Sequence, residues 1–319
     1  MKFGDIPGIQ KPASRIVLGT MGITTEDPAR WYPVLDAALE AGINAFDTAL
    51  AYSDGAAERC LGAWIKDRGI RSKVVLIDKG CHPNEHTEKR VTPDHLALDI
   101  QESLARLQTD HIDLYLLHRD DPAVPVGPMM EALNAHQAAG KIRAFGASNW
   151  RHERIKAAND YAHHHKLAPF AVSSPAFGLA EQVAEAWPGC VTISGPRNVI
   201  ARAWYERNEL PVLAYSALCH GFFSGRLTRE NCHETADEVC LRTYCCPANF
   251  DRLDRVVSEA KWKRVTIPQV ALAFVLNQPF QSYAVVGASS PEEARSAAAA
   301  AELVLTAEEL ARLDLRRDA

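Results

Sequence analysis

The chain predicts an α/β fold: a single (β/α)8 TIM barrel spanning residues 1–319, with a long loop after the seventh strand and a C-terminal helix. Three observations carry that expectation. Eight short, nearly unbroken apolar runs recur along the chain, and segments with apolar residues at helical spacing separate them. The first run also lacks the glycine signature of the competing doubly wound fold. Strands covered by helices on both faces read as continuous apolar runs, which marks a parallel sheet. A closed barrel of eight such units needs about 250 residues, more with insertions.

The elements follow in order. RIVLG (15–19) is the first strand; TMGITT follows it where a dinucleotide-binding doubly wound sheet would place G-x-G-x-x-G. PARWYPVLDAALEAG has helical spacing and leads to the second strand, NAFDT (44–48). VVLIDK (74–79) is the third; HLALDIQESLARLQ then predicts a helix before IDLYLLH (112–118), the fourth. IRAFGAS (142–148), FAVSS (170–174) and PVLAYS (211–216) are the fifth to seventh. Gly42, Gly69 and Gly140 close three of the intervening helices, as left-handed caps do. Strand ends lie 26 to 41 residues apart until Tyr215, after which Gly287 is 72 residues away. That excess predicts a long loop followed by two helices, DRLDRVVSEAKWK and IPQVALAFVLNQ, before the eighth strand, YAVVGA (283–288).

Composition narrows the function. The chain is 47% hydrophobic with a net charge of −5, so it has no basic footprint for a nucleic-acid backbone. No apolar run reaches the length of a membrane span, and MKFGDIPGIQ lacks the apolar centre of a signal peptide, so a cytoplasmic protein is expected. Eight cysteines suit reduced thiols. The cluster NCHETADEVCLRTYCC matches no zinc spacing, HHH at 163–165 has no ligand partners at helical spacing, and no metal is expected.

In a barrel the C-terminal ends of the strands converge on one mouth. Here those ends read Gly19-Thr20, Asp47, Lys79, His118, Ser148-Asn149, Ser174, Tyr215 and Gly287, with Tyr52 just beyond the second. Each has an ordinary reading by itself: a turn acid, a solvated amine, a core imidazole, a loop phenol. Together they form a proton-transfer device. A phenol with a pKa near 10 gives up its proton slowly at neutral pH unless a nearby cation favours the phenolate. A buried Lys stays charged when a carboxylate pairs with it, and a His orients a carbonyl oxygen or shares a proton. Asp47 would hold Lys79, Lys79 would tune Tyr52, and His118 would stand beside them.

The set FDTALAY, VVLIDKG, IDLYLLH, IRAFGASNW, LAYSAL and YAVVGASS resembles the aldo-keto reductase superfamily over nearly the whole chain. The resemblance implies hydride transfer between NADP(H), with NAD(H) as an alternative, and an aldehyde or ketone. It implies Tyr52 as proton donor with Asp47, Lys79 and His118 as its partners. Ser148 and Asn149 resemble the pair that holds the nicotinamide carboxamide, and Tyr215 the aromatic stacked on that ring. Gly19, Thr20 and Met21 would flank the cofactor, while Ser216, Ala217, Leu218, Gly221, Gly225 and Arg226 would cover its pyrophosphate. Two departures stand out. Ser174 replaces the usual Gln at the sixth strand end. The adenine end around Gly287, Ser289 and Glu293 lacks the usual cations beside a 2′-phosphate, a group that favours a guanidinium; a Glu suits a 2′-hydroxyl.

His82, Trp150, Phe177, Trp187 and Trp204 are expected to wall the substrate side, suiting a sugar-like carbonyl compound. The expected partner is this small molecule, and the expected state a monomer or small homo-oligomer. Two alternatives stay open: a Schiff-base lyase using Lys79, which would need a neutral amine, and a cofactor-binding regulatory subunit without turnover.

Overall fold

A computed structural model describes residues 1–87 and 89–316. Eight parallel strands close into a barrel, each pairing with the next in chain order and the last with the first. They are β3 (Ile16–Gly19), β4 (Ala45–Asp47), β5 (Val75–Gly80), β6 (Ile112–Leu117), β7 (Ile142–Ser148), β8 (Val172–Ser174), β9 (Val212–Ala214) and β10 (Ser282–Val286). All eight fall on the runs expected from the sequence. Around them lie α1 (Pro28–Glu40), α2 (Ala56–Arg68), α3 (Pro93–Arg106), α4 (Val126–Ala138), α5 (His152–His165) and α6 (Val199–Asn208). The expected pair after the seventh barrel strand is present as α9 (Pro247–Lys263) and α10 (Ile267–Leu276), preceded by short α7 (Cys232–Thr235) and α8 (Glu238–Tyr244). The chain closes with α11 (Pro291–Ala299) and α12 (Ala307–Leu313). No described helix is long and apolar enough to cross a membrane.

Local chemistry sets the helix limits. Thr92, Thr266, Ser290 and Thr306 each accept a hydrogen bond from a first-turn amide, and a proline follows or nearly follows three of them. Gly69 ends α2 at φ 63°, with its amide bonded back to Ile65 and Lys66.

Strand pleating separates two cores. Val17, Ala45, Val75, Ile77, Leu114, Leu116, Val172, Leu213 and Tyr283 fill the barrel interior. Their neighbours Leu18, Phe46, Leu76, Tyr115, Leu117 and Phe145 pack outward under the helices. The sequence reading did not anticipate a two-stranded antiparallel hairpin, β1 (Phe3–Gly4) with β2 (Ala13–Ser14). Ile6 in its loop joins the interior core, and Gly8 lies against Ala144, so the hairpin seals one end of the barrel. Strands of two residues carry no readable alternation, which is why they were not legible.

Candidate active site

The interior parity carries straight into the mouth. Counting by twos from Ala45, Ile77, Leu116, Ala144, Leu213 and Tyr283 arrives at Asp47, Lys79, His118, Ser148, Tyr215 and Gly287. Register holds the first two side by side, since Asp47 pairs with Ile77 one step before Lys79. A cavity of about 800 Å³ opens over these strand ends.

Lys79 and Asp47 are each 3% exposed. The ammonium Nζ donates to Asp47 Oδ2 at 2.7 Å, to the Thr48 carbonyl at 2.9 Å and to the Tyr52 hydroxyl at 3.3 Å, using all three of its donors. Tyr52 stands in a tight turn in which Ser53 and Asp54 adopt φ of 49° and 50°, and Gly55 follows at 83°. Arg106 braces that turn from below, donating to the Leu50 carbonyl at 3.2 Å and to Glu58 at 3.0 Å. A Cβ at Gly55 would meet its guanidinium at 2.4 Å, so only glycine fits there.

The electrostatics refine one expectation. At Tyr52 burial pushes the phenol pKa up, and Lys79 offsets this only in part, because Asp47 cancels much of its charge. The phenol therefore stays protonated at neutral pH, the form that gives a proton away. Burial acts to lower the Lys79 pKa, but Asp47 and Tyr52 outweigh it and the ammonium is held charged. His118 is driven well below its ordinary range by burial, then by Lys79, His82 and Arg119, so its imidazole is neutral. It stands edge-on to Tyr52 with ring centroids 5.8 Å apart, and its Nδ1 has no hydrogen-bond partner among the described residues.

On the other side of the mouth Asn149 takes a left-handed conformation at φ 61°. Its amide donates to the His118 carbonyl at 3.1 Å and to Ser148 Oγ at 3.2 Å, and accepts from Tyr215 OH at 2.7 Å and Val191 N at 3.1 Å. Asn149 is thus a bracket joining β6, β7, β9 and the loop after β8. Ser148 donates to the Ser174 carbonyl at 3.0 Å, leaving one lone pair on its hydroxyl. From here the cavity continues past Met21, Ser216, Ala217, Leu218 and Gly221 to Arg226, Gly287 and Glu293.

The description "Aldo/keto reductase family" matches residues 15–316. The chain belongs to the aldo/keto reductase family. The aldo-keto reductase YhdN of Bacillus subtilis (strain 168) is 30% identical over 307 residues, covering 91% of this chain and 86% of its own. An aldo/keto reductase from Klebsiella pneumoniae, solved in complex with NADP and acetate, is 29% identical with a TM-score of 0.70, covering 96% of this chain and 92% of its own. The glycerol dehydrogenase from Gluconobacter oxydans has a TM-score of 0.79 at 25% identity, covering 98% of this chain and 94% of its own.

Within this aldo/keto reductase, not every residue singled out in the sequence reaches the cavity wall. Thr20 is buried beneath it, bonded to the Asp47 carbonyl by both its amide and its hydroxyl. Ser174 is buried and offers its carbonyl to Ser148 and Asn149. Ser289 is spent locally: its amide and hydroxyl both donate to Glu293 at 2.8 Å. Arg295, the nearest cation of α11, faces Glu40 at 3.8 Å.

The expected aromatic wall shrinks in the same way. Trp187 and His82 line the cavity. Trp150 is folded under by the left-handed turn at Asn149, packs edge-on to Phe170 and donates its indole N–H to the Arg119 carbonyl. Phe177 is buried against Phe274 and Phe280. Trp204 stands on α6, packs on Tyr205, and lines a separate groove of about 430 Å³ with Pro7 and Phe170. Residues the sequence reading passed over take their places: Arg119, Cys190, His220, Pro268 and Leu272. Arg119 was signalled by its position directly after His118; the others reach the site from loops and from α10.

Proposed function

We propose that this protein transfers a hydride between NADP(H), with NAD(H) as an alternative, and the carbonyl of a polar aldehyde or ketone, and that Tyr52 moves the proton. One observation carries the reading: a neutral, lysine-bonded phenol beside a neutral imidazole, at one end of a cavity that extends along the mouth to the N-terminus of α11. The residues suit a dinucleotide. Gly287 and Gly221 have open space where a side chain would begin, Ser148 keeps an acceptor for an amide, and the Tyr215 ring lines the wall with its hydroxyl anchored to Asn149. Bound there, the dinucleotide supplies the hydride.

The protein's own part is proton delivery and orientation. Tyr52 donates its phenolic proton to the carbonyl oxygen as the alcohol forms, and Lys79 stabilises the phenolate left behind. Asp47 keeps Lys79 charged, and His118 offers a ring nitrogen to the same oxygen. The NADP complex of the Klebsiella relative supports the cofactor assignment. The polyol named in the Gluconobacter enzyme's description supports a polar substrate. A sugar-like substrate now rests on Trp187 and His82 alone among the five wall residues. Schiff-base chemistry at Lys79 is disfavoured, since Asp47 at 2.7 Å holds the amine protonated.

The test is to titrate the protein with NADPH and with NADH by tryptophan quenching, then follow aldehyde-dependent loss of NADPH absorbance. Saturable binding weakened by Tyr215→Ala, with turnover lowered by about 10²- to 10⁴-fold in Tyr52→Phe, supports the reading. Binding of neither nucleotide sinks it.

A further inference from the structure

Arg119 follows His118 directly and lines the cavity at the end where Tyr52, His118 and His82 meet. A guanidinium has five N–H donors. One, on Nη1, donates to Cys190 Sγ at 3.0 Å, and among the described residues Arg119 pairs with no carboxylate. The acids beside it in sequence are committed elsewhere. Asp120 takes Arg154 on both oxygens at 3.0 Å, and Asp121 caps its own turn through the Ala123 amide.

Among the described residues, the rest of this end carries no compensating charge. Lys79 is neutralised by Asp47 at 2.7 Å, and His220 turns to Asp237 at 3.1 Å. Burial and the Arg119 charge together lower the His82 and His118 pKa values, leaving both imidazoles neutral. Glu293 and Arg226 lie toward the α11 end of the same cavity. Among the described residues, Arg119 is therefore a half-buried cation with no counter-charge on the wall where the carbonyl compound would sit. A desolvated, unpaired charge is costly unless a ligand completes it.

We infer that the substrate is a carbonyl compound bearing a carboxylate, and that Arg119 selects it by pairing with that carboxylate. The inference rests on the carbonyl reduction proposed above. A monoanion fits better than a phosphate ester, because among the described residues a single guanidinium faces this end of the cavity and the other cation there, Lys79, is already paired.

The test compares 4-formylbenzoate with its methyl ester, both with NADPH, in the wild type, Arg119→Met and Arg119→Lys. The wild type should favour the carboxylate in kcat/KM by on the order of 10- to 100-fold, the worth of a charge-assisted hydrogen bond. Arg119→Met should collapse that ratio toward one, mainly through KM, and Arg119→Lys should restore part of it. Equal use of both aldehydes by the wild type, or an unchanged ratio in Arg119→Met, overturns the assignment. A second measurement separates this from failure of the reductase reading: benzoate against benzamide binding to the protein–NADP+ complex, read by tryptophan fluorescence. Benzoate should bind at least ten times tighter than benzamide, and Arg119→Met should remove the difference. If neither aldehyde is reduced yet benzoate shows that Arg119-dependent preference, the carboxylate site stands and the hydride-transfer reading falls. If benzoate and benzamide bind alike, the carboxylate site falls whatever the kinetics show.

Discussion

At the scale of single residues, the Asp47–Lys79–Tyr52 chain binds stability to chemistry. A buried ion pair broken on one side leaves an uncompensated charge that costs about 3–5 kcal/mol. Lys79→Met should therefore unfold at markedly lower denaturant than the wild type, and Asp47→Asn/Lys79→Met should recover much of the loss. Chemical denaturation of the wild type and the two variants measures both. Tyr52→Phe removes only a hydroxyl, so it should keep nucleotide affinity while turnover falls by about 10²- to 10⁴-fold, the usual worth of a positioned acid. Because burial holds the phenol above its ordinary pKa of about 10, carbonyl reduction should stay level up to about pH 9. Alcohol oxidation, which needs the phenolate, should climb over the same range; initial rates in both directions across pH check this. His118 gives the opposite sign for stability. Its folded pKa lies well below the ordinary 6.5, so the unfolded chain binds the extra proton first. The contribution is complete above about pH 6.5 and shrinks as pH falls toward the folded value. Thermal melts at pH 5 and 7 should show a drop in the wild type that is smaller in His118→Asn.

At the scale of elements, two short segments decide how the site is used. The turn from Tyr52 to Gly55 places the phenol through left-handed backbone that Arg106 braces. Gly55→Ala should displace Tyr52 and lower kcat, with nucleotide binding less affected, as stopped-flow kinetics beside quenching titrations would show. The N-terminus of α11 places Glu293 at the end of the cavity, its carboxylate bonded to Ser289, while Arg295 faces away toward Glu40. This arrangement opposes a 2′-phosphate, so Glu293→Gln should shift the NADPH-to-NADH affinity ratio toward NADPH by about tenfold. Paired titrations decide it; an unchanged ratio would place nucleotide choice elsewhere.

At the scale of the whole molecule, the barrel is sealed at one end and opens into a cavity at the other. The N-terminal hairpin puts Ile6, 2% exposed, into the interior core. Ile6→Ala should cost about 2–5 kcal/mol, as comparable core truncations do, without altering KM. An equal fall in affinity would mean that the plug and the mouth are coupled.

The eight strands and the polar residues that close three of them at the mouth were legible in the sequence for one reason. A strand covered on both faces is an apolar run, and a polar residue closing such a run at an inward position has to face the barrel mouth. Asp47, Lys79 and His118 are read that way, whereas the threonine and serine caps that start α3, α10 and α11 emerge only in the structure. The hairpin and the wall were not legible, because they depend on where loops travel after leaving the sheet. Trp150 and Phe177 sit two and three residues past strand ends, yet backbone turns fold both into the core. Arg119, beside His118, was in plain view, but its lack of an acidic partner depends on where Asp120 and Asp121 point. Periodicity and chemistry along the chain determined the barrel and the polar cluster at its mouth. Only tertiary structure decided which loop side chains face the cavity and which charges are left unpaired, since these depend on contacts between residues far apart in sequence.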